Sequence, residues 1–325
     1  MPDVVVLTEK QLRAAVTLDA AVVEAIENAF RWIAEGKVEM PPIMHIEVAD
    51  GPGDVDIKSA YARGLPSFAV KIGAGFFNNH TLGLPNSPAS VVLVSAKTGF
   101  VEAMLLDNGY LTDARTGAAG AVAAKHLAKK GAARLGIIGT GMQARFQAEA
   151  VKLVRPLVSC AVWGRDEAKA RAYAAEMTKT LGVSVTVART AEALVKDSDL
   201  VVTTTPAKTP VVRADWLHPG LHITAMGADL PDKQELEAEC LGRATRVVVD
   251  RRAQCERMGE LHHALEKGLK VETVELGEVC LGRAPGRTGD GDITICDLTG
   301  TGVQDTAIGA LAYQRAKSVG TTIKN

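Results

Sequence analysis

A chain of 325 residues, 47% hydrophobic and 23% charged, has the balance of a globular protein and enough length for two cores. Its formal net charge of -1, without a basic run in either half, gives no electrostatic footing for nucleic acid or a membrane surface. The five cysteines, Cys160, Cys240, Cys255, Cys280 and Cys296, are odd in number and form no C-x-x-C pair, so free thiols in a reducing cytoplasm are expected. The start, MPDVVVLTEKQL, lacks the features of a signal peptide, and no apolar run approaches the ~20 residues of a membrane span.

A first helix is expected from Thr17 or Asp19, with Val22, Val23, Ile26, Phe30 and Ile33 at helical spacing and Gly36 just past its end. Extended segments follow from Ile43 to Val70, then over Phe68–Ile72, Ser90–Ser95 and Val101–Leu105, with a turn at Lys97-Thr98-Gly99. This first part reads as a helix plus a mixed or antiparallel sheet. An alanine-rich helix over about 112–127 connects it to a second domain. There, apolar strands at 134–138, 160–163, 183–187, 200–204, 221–226 and 246–249 alternate with helices. Continuous apolar runs in such alternation predict a parallel sheet covered on both faces. The last helix, about 303–318, is long enough to return to the first domain. The expected division is 1–126 with 302–325, and 127–301.

The loop Gly139-Thr140-Gly141-Met142-Gln143-Ala144 is G-x-G-x-x-A between a strand and a helix. Its small residues permit the tight turn, the approach of backbone to a pyrophosphate and close helix–sheet contact. The helix N-terminus offers unpaired N–H groups to the phosphates. A dinucleotide site is therefore expected. The ribose-reading position, about 20 residues on, falls at Val162-Trp163-Gly164-Arg165-Asp166. Gly164 offers no carboxylate to a free 2′-hydroxyl and Arg165 follows it, which favours NADP over NAD. The competing reading makes Arg165 a solvated surface residue and Asp166 a helix cap.

Ligands of open α/β sheets bind beyond the carboxyl ends of the strands. Thr203, Thr204 and Thr205 end one strand, and Met226-Gly227-Ala228-Asp229 ends another, with Lys233 nearby. Asp229 is the candidate acid/base, against the plainer role of a turn or capping aspartate. In the first domain Lys71 interrupts the apolar strand Phe68-Ala69-Val70-Lys71-Ile72, which suggests a side chain aimed at a cavity rather than one snorkelling to water. Arg115, on the connecting helix, suits bidentate binding of a carboxylate. His262 and His263 are adjacent and lack metal-ligand spacing, so no metal is expected.

These stretches resemble the ornithine cyclodeaminase/mu-crystallin family over nearly the whole chain. The resemblance is carried by Lys71 with its glycines, LLDNGYLTDARTGAAGAVAAKHL, GTGMQA, AMGADLPDKQEL and ICDLTGTGVQDTA; LLDNGYLTD and MPPIM are similar to the ectoine-utilisation branch. The resemblance implies a Rossmann domain inside an α+β substrate and dimerisation domain formed from both chain ends, with a barrel shared between two subunits. It implies Asp229 as acid/base, Lys71 at the substrate carboxylate or reacting carbon, and Arg115 at the carboxylate. Thr116, the glycine loop, Thr204, Met226 and Val303 would line the dinucleotide. The family's chemistry is hydride transfer between a nicotinamide and an amino-acid α-carbon. Imine reduction, cyclodeamination with ammonia release, and non-catalytic ligand binding of the mu-crystallin kind all occur within it.

The chain departs from the family in two places. Where many members carry an arginine after the prolines, this one reads Pro41-Pro42-Ile43-Met44-His45, so His45 is the candidate substitute. Ornithine-specific members have an acid thirteen residues before the strand lysine, where Lys58 stands here. That ammonium disfavours a distal amine and favours an imine or an acidic α-amino acid derivative.

Overall fold

The computed structural model describes residues 1–324 except Pro52 and Phe77. The chain divides into two units, one of Met1–Arg115 with the residues from Thr301 onward, the other of Thr116–Gly300.

The first unit begins with β1 (Val4–Thr8), α1 (Glu9–Ala15), α2 (Ala20–Ala34) and β2 (Val38–Glu39). It continues with β3 (Met44–Val48), β4 (Gly53–Ala62), β5 (Ser67–Phe76), β6 (Ala89–Ser95) and β7 (Val101–Leu106), and reaches the boundary within α3 (Tyr110–Leu127). Its sheet has the order β16-β1-β7-β6-β5-β4-β2, with β3 on β4 and β16 (Thr321–Ile323) on the far edge. All its pairings are antiparallel except β1 with β7. The mixed sheet agrees with the sequence pattern, which did not reveal β1, α1, β2 or β16. Asp19 caps α2 by accepting the Val22 N–H at 2.9 Å, and Gly36 takes φ +66° just beyond the helix. The sequence had left Thr17 and Asp19 as alternatives; Asp19 is the cap.

One face of this sheet is covered by α11 (Gly302–Ala316), the helix that returns from the chain's end, and α2 packs on α11. Alternation along β5 buries Ser67, Ala69 and Lys71 on that face. Thr306 pins α11 there: its hydroxyl donates to the Ala60 carbonyl at 2.6 Å and accepts the Ala69 N–H at 3.0 Å. By the same alternation, Met44, Ile46, Ile72, Met104 and Leu106 lie on the opposite face and are exposed.

The second unit runs β8 (Arg134–Ile138), α4 (Met142–Val154), β9 (Ser159–Trp163), α5 (Glu167–Leu181), β10 (Ser184–Val187), α6 (Ala191–Asp197) and β11 (Leu200–Thr203). Then come β12 (His222–Ala225), α7 (Ala238–Arg243), β13 (Arg246–Val249), α8 (Arg252–Cys255), α9 (Gly259–Glu266), β14 (Thr273–Glu275), α10 (Leu276–Cys280) and β15 (Thr294–Asp297). The sheet is parallel throughout, in the order β10-β9-β8-β11-β12-β15-β13-β14, with buried clusters on both faces. The chain proceeds outward from β8 to β9 and β10, then returns to lay β11 on the other side of β8. That reversal makes the ends of β8 and β11 the switch point at which a doubly wound sheet binds its ligand. β14 and β15 were not visible in the sequence pattern. The fold is thus a Rossmann unit, formed by the middle of the chain, and an α+β unit built from both chain ends.

Candidate functional site

In the first unit, antiparallel register places Lys58 of β4 directly opposite Lys71 of β5, so the two side chains share the helix-covered face. The clamp at Thr306 sets its neighbour Asp305 against Lys71: Nζ lies 2.9 Å from Oδ2. Arg115 reaches the other oxygen of the same carboxylate, with Nε 3.2 Å from Oδ1, and donates from Nη1 to Gln304 Oε1 at 3.0 Å. Lys71, Arg115 and Asp305 are all buried. Two cations therefore share one carboxylate at contact distance, and the Nη2 edge of Arg115 has no partner among the described residues.

Burial lowers the Lys71 pKa to about 8; the Asp305 charge resists the fall, and the Arg115 and Lys58 charges add to it. Burial pushes Asp305 up, but Lys71 and Arg115 outweigh it and hold the carboxyl below its ordinary range. Asp107 accepts the Leu111 N–H at the start of α3, and burial lifts it to about 6 against that bond. His45 is exposed on β3, where Nδ1 lies 2.8 Å from Asp56 Oδ1; that bond raises its pKa. Asp56 stands two residues before Lys58 on β4. Val303 is the second residue of α11 and is buried.

In the second unit the glycine loop follows β8 and opens α4. Gly139 has φ +122°, and a Cβ there would meet the Thr204 hydroxyl at 2.4 Å, so turn and packing both require glycine. Gly141 is the N-cap of α4 and supplies no side-chain cap, which leaves the first-turn N–H groups to an anion. Thr204 donates from its hydroxyl to the Ile138 carbonyl at 3.2 Å. Ala144 is fully buried, and the Thr116 carbonyl accepts from Gln147 Nε2 at 2.8 Å. Thr140 and Gly141 also present carbonyls to Arg145, while Met142 is exposed and Gln143 half-buried. The residues present fit a dinucleotide: an uncapped helix start, a side-chain-free approach, and a switch point.

At the end of β9, a Cβ on Gly164 would meet Thr140 Cγ2 at 2.8 Å, so a side chain at that position requires the Thr140 side chain to shift. Arg165 is exposed, and Asp166 caps α5 by accepting the Lys169 N–H at 3.1 Å. The Met226 N–H donates to the Thr203 carbonyl at 3.1 Å, joining the ends of β12 and β11. Asp229 is half exposed and pairs through Oδ1 with Lys233 Nζ at 2.6 Å. His262 and His263 do converge on Glu266, a neighbour the sequence reading overlooked. Both rings are also engaged by backbone, His263 Nε2 at 2.8 Å from the Lys233 carbonyl and His262 Nδ1 at 3.2 Å from that of Glu256.

Sequence reasoning missed Asp305 and Gln304. Both stand in the segment ICDLTGTGVQDTA, but only the fold reveals that they meet Lys71 and Arg115.

A parallel sheet with an open glycine loop at its switch point defines a dinucleotide-binding unit, and the other unit carries a buried pair of cations on one carboxylate. The chain belongs to the ornithine cyclodeaminase/mu-crystallin family, which it matches over residues 3–320. Three solved structures are similar along their length. The iminosuccinate reductase of Paracoccus denitrificans, in complex with NAD+, is 32% identical, with 100% of each chain covered and a TM-score of 0.93. The Δ1-pyrroline-2-carboxylate reductase of Thermococcus litoralis, in complex with NADH and L-proline, is 30% identical, covering 98% of this chain and 100% of that one at a TM-score of 0.92. An archaeal alanine dehydrogenase dimer with bound NAD is 36% identical over 99% of each chain, at a TM-score of 0.91. The protein is accordingly a nicotinamide-dependent enzyme, an oxidoreductase acting on a CH–NH or C=N centre or a cyclodeaminase.

Proposed function

We propose that the protein is an NAD(P)H-dependent reductase of a small carboxylated imine. The observation that carries this reading is the pair Lys71 and Arg115 sharing the single carboxylate of Asp305. A substrate carboxylate completes the balance: it takes the open Nη2 edge of Arg115 and a second proton of the Lys71 ammonium. Reduced nicotinamide, when bound, supplies a hydride to the imine carbon. Asp229 exchanges the accompanying proton with the nitrogen, a task a carboxyl group performs once a substrate lies within hydrogen-bond reach. Lys58 adds a third cation on the same sheet face and repels a distal amine by about 1–4 kcal/mol at ~4 Å, depending on screening. An acidic or neutral side chain on the substrate fits this charge better than that of ornithine. Gly164 and Arg165 favour the 2′-phosphorylated dinucleotide.

A test is to follow oxidation of NADPH and NADH with pyrroline-2-carboxylate, piperideine-2-carboxylate and keto acids supplied with ammonia or an amine. Consumption with at least one carboxylated imine, faster with NADPH, is expected. No consumption with any of them removes the reading, and at least a tenfold preference for NADH removes the cofactor assignment.

The lysine also fixes a pH dependence. Lys71 is charged below about pH 8 and neutral above it. Its charged form anchors the carboxylate, so kcat/KM falls as pH rises through about 8. A profile flat from pH 7 to pH 9.5 would take Lys71 out of carboxylate binding.

The exposed face bearing Met44, Ile46, Ile72, Met104 and Leu106 is proposed as the homodimer contact. Contiguous apolar surface of this kind marks association sites. Met104→Asp is expected to lower the light-scattering mass to that of one chain; an unchanged mass places the contact elsewhere.

A further inference from the structure

Among the carboxylates that the second unit buries without an ion-pair partner among the described residues are Glu235, Glu260 and Asp297. Carboxylates this deep persist only when N–H and O–H donors surround them, and here the donors form an ordered series. Asp297, the last residue of β15, accepts the N–H of Leu261 at 2.9 Å in the first turn of α9. Glu260, in the same turn, receives the N–H groups of Glu235 at 2.8 Å and Leu236 at 3.0 Å on its two oxygens. Glu235 then accepts four bonds. Oε1 takes the N–H and the hydroxyl of Thr205, and Oε2 takes the hydroxyl of Thr203 at 2.6 Å and the N–H of Gly227 at 2.7 Å. Burial raises the pKa of all three, Asp297 to about 7, while the donors oppose it.

The four donors to Glu235 come from the last residue of β11 and from the two loops that follow β11 and β12. Thr203 and Thr205 flank Thr204, and Gly227 lies between Met226 and the start of the turn to Asp229. With the pyrophosphate on the loop after β8, a dinucleotide across the switch point extends its adenosine over β9 and its nicotinamide half over β11 and β12. A Cβ on Gly227 would meet the Thr205 carbonyl at 2.2 Å, so the two loops already touch and leave no slack.

We infer that Glu235 is a positioning residue for the nicotinamide half of the site, its backbone N–H held by Glu260 and its carboxylate fixing the loops after β11 and β12 at one spacing. The inference rests on dinucleotide binding by the second unit and not on the imine substrate proposed above. Glutamine cannot take the place of glutamate here. Each carboxylate oxygen faces a backbone N–H, so either orientation of the amide sets its NH2 against one of them and drives one loop away.

The test compares ligands that share the adenosine end and differ in the nicotinamide. Dissociation constants of NADPH and 2′-phospho-ADP-ribose, and of NADH and ADP-ribose, are measured for the wild type and Glu235→Gln. The variant is expected to bind the reduced dinucleotides about tenfold or more weakly, and the ADP-riboses within about twofold of the wild type. Equal weakening of both ligands, or of neither, overturns the inference. Should Glu235→Gln fail to fold, Thr203 decides. Thr203→Val removes one donor at constant shape and is expected to weaken the reduced dinucleotides alone, by about threefold or more, with Thr203→Ser restoring them. Wild-type binding of the reduced dinucleotides by Thr203→Val overturns it as well. A failed substrate screen leaves these constants untouched, so the two readings fail separately.

Discussion

Asp305→Ala is expected to cost about 3–5 kcal/mol of stability, because it strands two buried cations without their shared counter-charge. At about 2–4 °C per kcal/mol for a unit of this size, the Tm falls by roughly 6–20 °C. Lys71 and Arg115 have no second carboxylate in contact among the described residues. Relaxation can neutralise Lys71, whose pKa of about 8 already lies near neutrality, but Arg115 stays charged. Adding Lys71→Met to the variant removes one stranded charge and is expected to return part of the lost stability, a coupling that a double-mutant cycle measures. A Tm change under about 2 °C for Asp305→Ala alone would mean that solvent, not Asp305, balances the pair.

Asp229→Ala is expected to lower kcat by ~10²-fold or more while NAD(P)H binding stays within a few-fold. Its contact with Lys233 is a half-exposed i,i+4 pair, worth about 0–1 kcal/mol, so the Tm should scarcely move. The separation matters: a variant that folds and binds cofactor but does not turn over has lost a proton donor rather than a scaffold. Asp229→Asn, which keeps the shape but cannot exchange a proton, should fall as far. Turnover unchanged in both variants would remove Asp229 from the mechanism.

The sequence exposed those parts of the site that depend on local chemistry. Gly139 and Gly141 are readable because the phosphate turn needs small residues at fixed spacing between a strand and a helix. Lys71 is readable because a charge inside an apolar strand is unusual. Asp305 was hidden for the opposite reason: its role comes from α11 returning to β5, a contact between distant parts of the chain with no periodic trace. Glu235, Glu260 and Asp297 were hidden too, since carboxylates are usually exposed and nothing in AMGADLPDKQEL marks one as buried. The strand β15, only Thr294–Asp297, is too short for its pattern to stand out, yet it sits inside the sheet. Helix α1 is a seven-residue element held by a capping box between Thr8 and Gln11, with Leu12 its one buried residue, so it shows almost no amphipathic period.

Net reduction of a carboxylated imine and cyclodeamination of a diamine differ in their stoichiometry. Purified protein is incubated with pyrroline-2-carboxylate and NADPH, and separately with ornithine or lysine and NAD+, while nicotinamide absorbance, amino-acid product and ammonia are followed together. One NADPH is expected to be oxidised for each proline formed, with no ammonia from ornithine or lysine. Ammonia release from either diamine without net change in the nicotinamide would contradict net reduction and make the enzyme a cyclodeaminase.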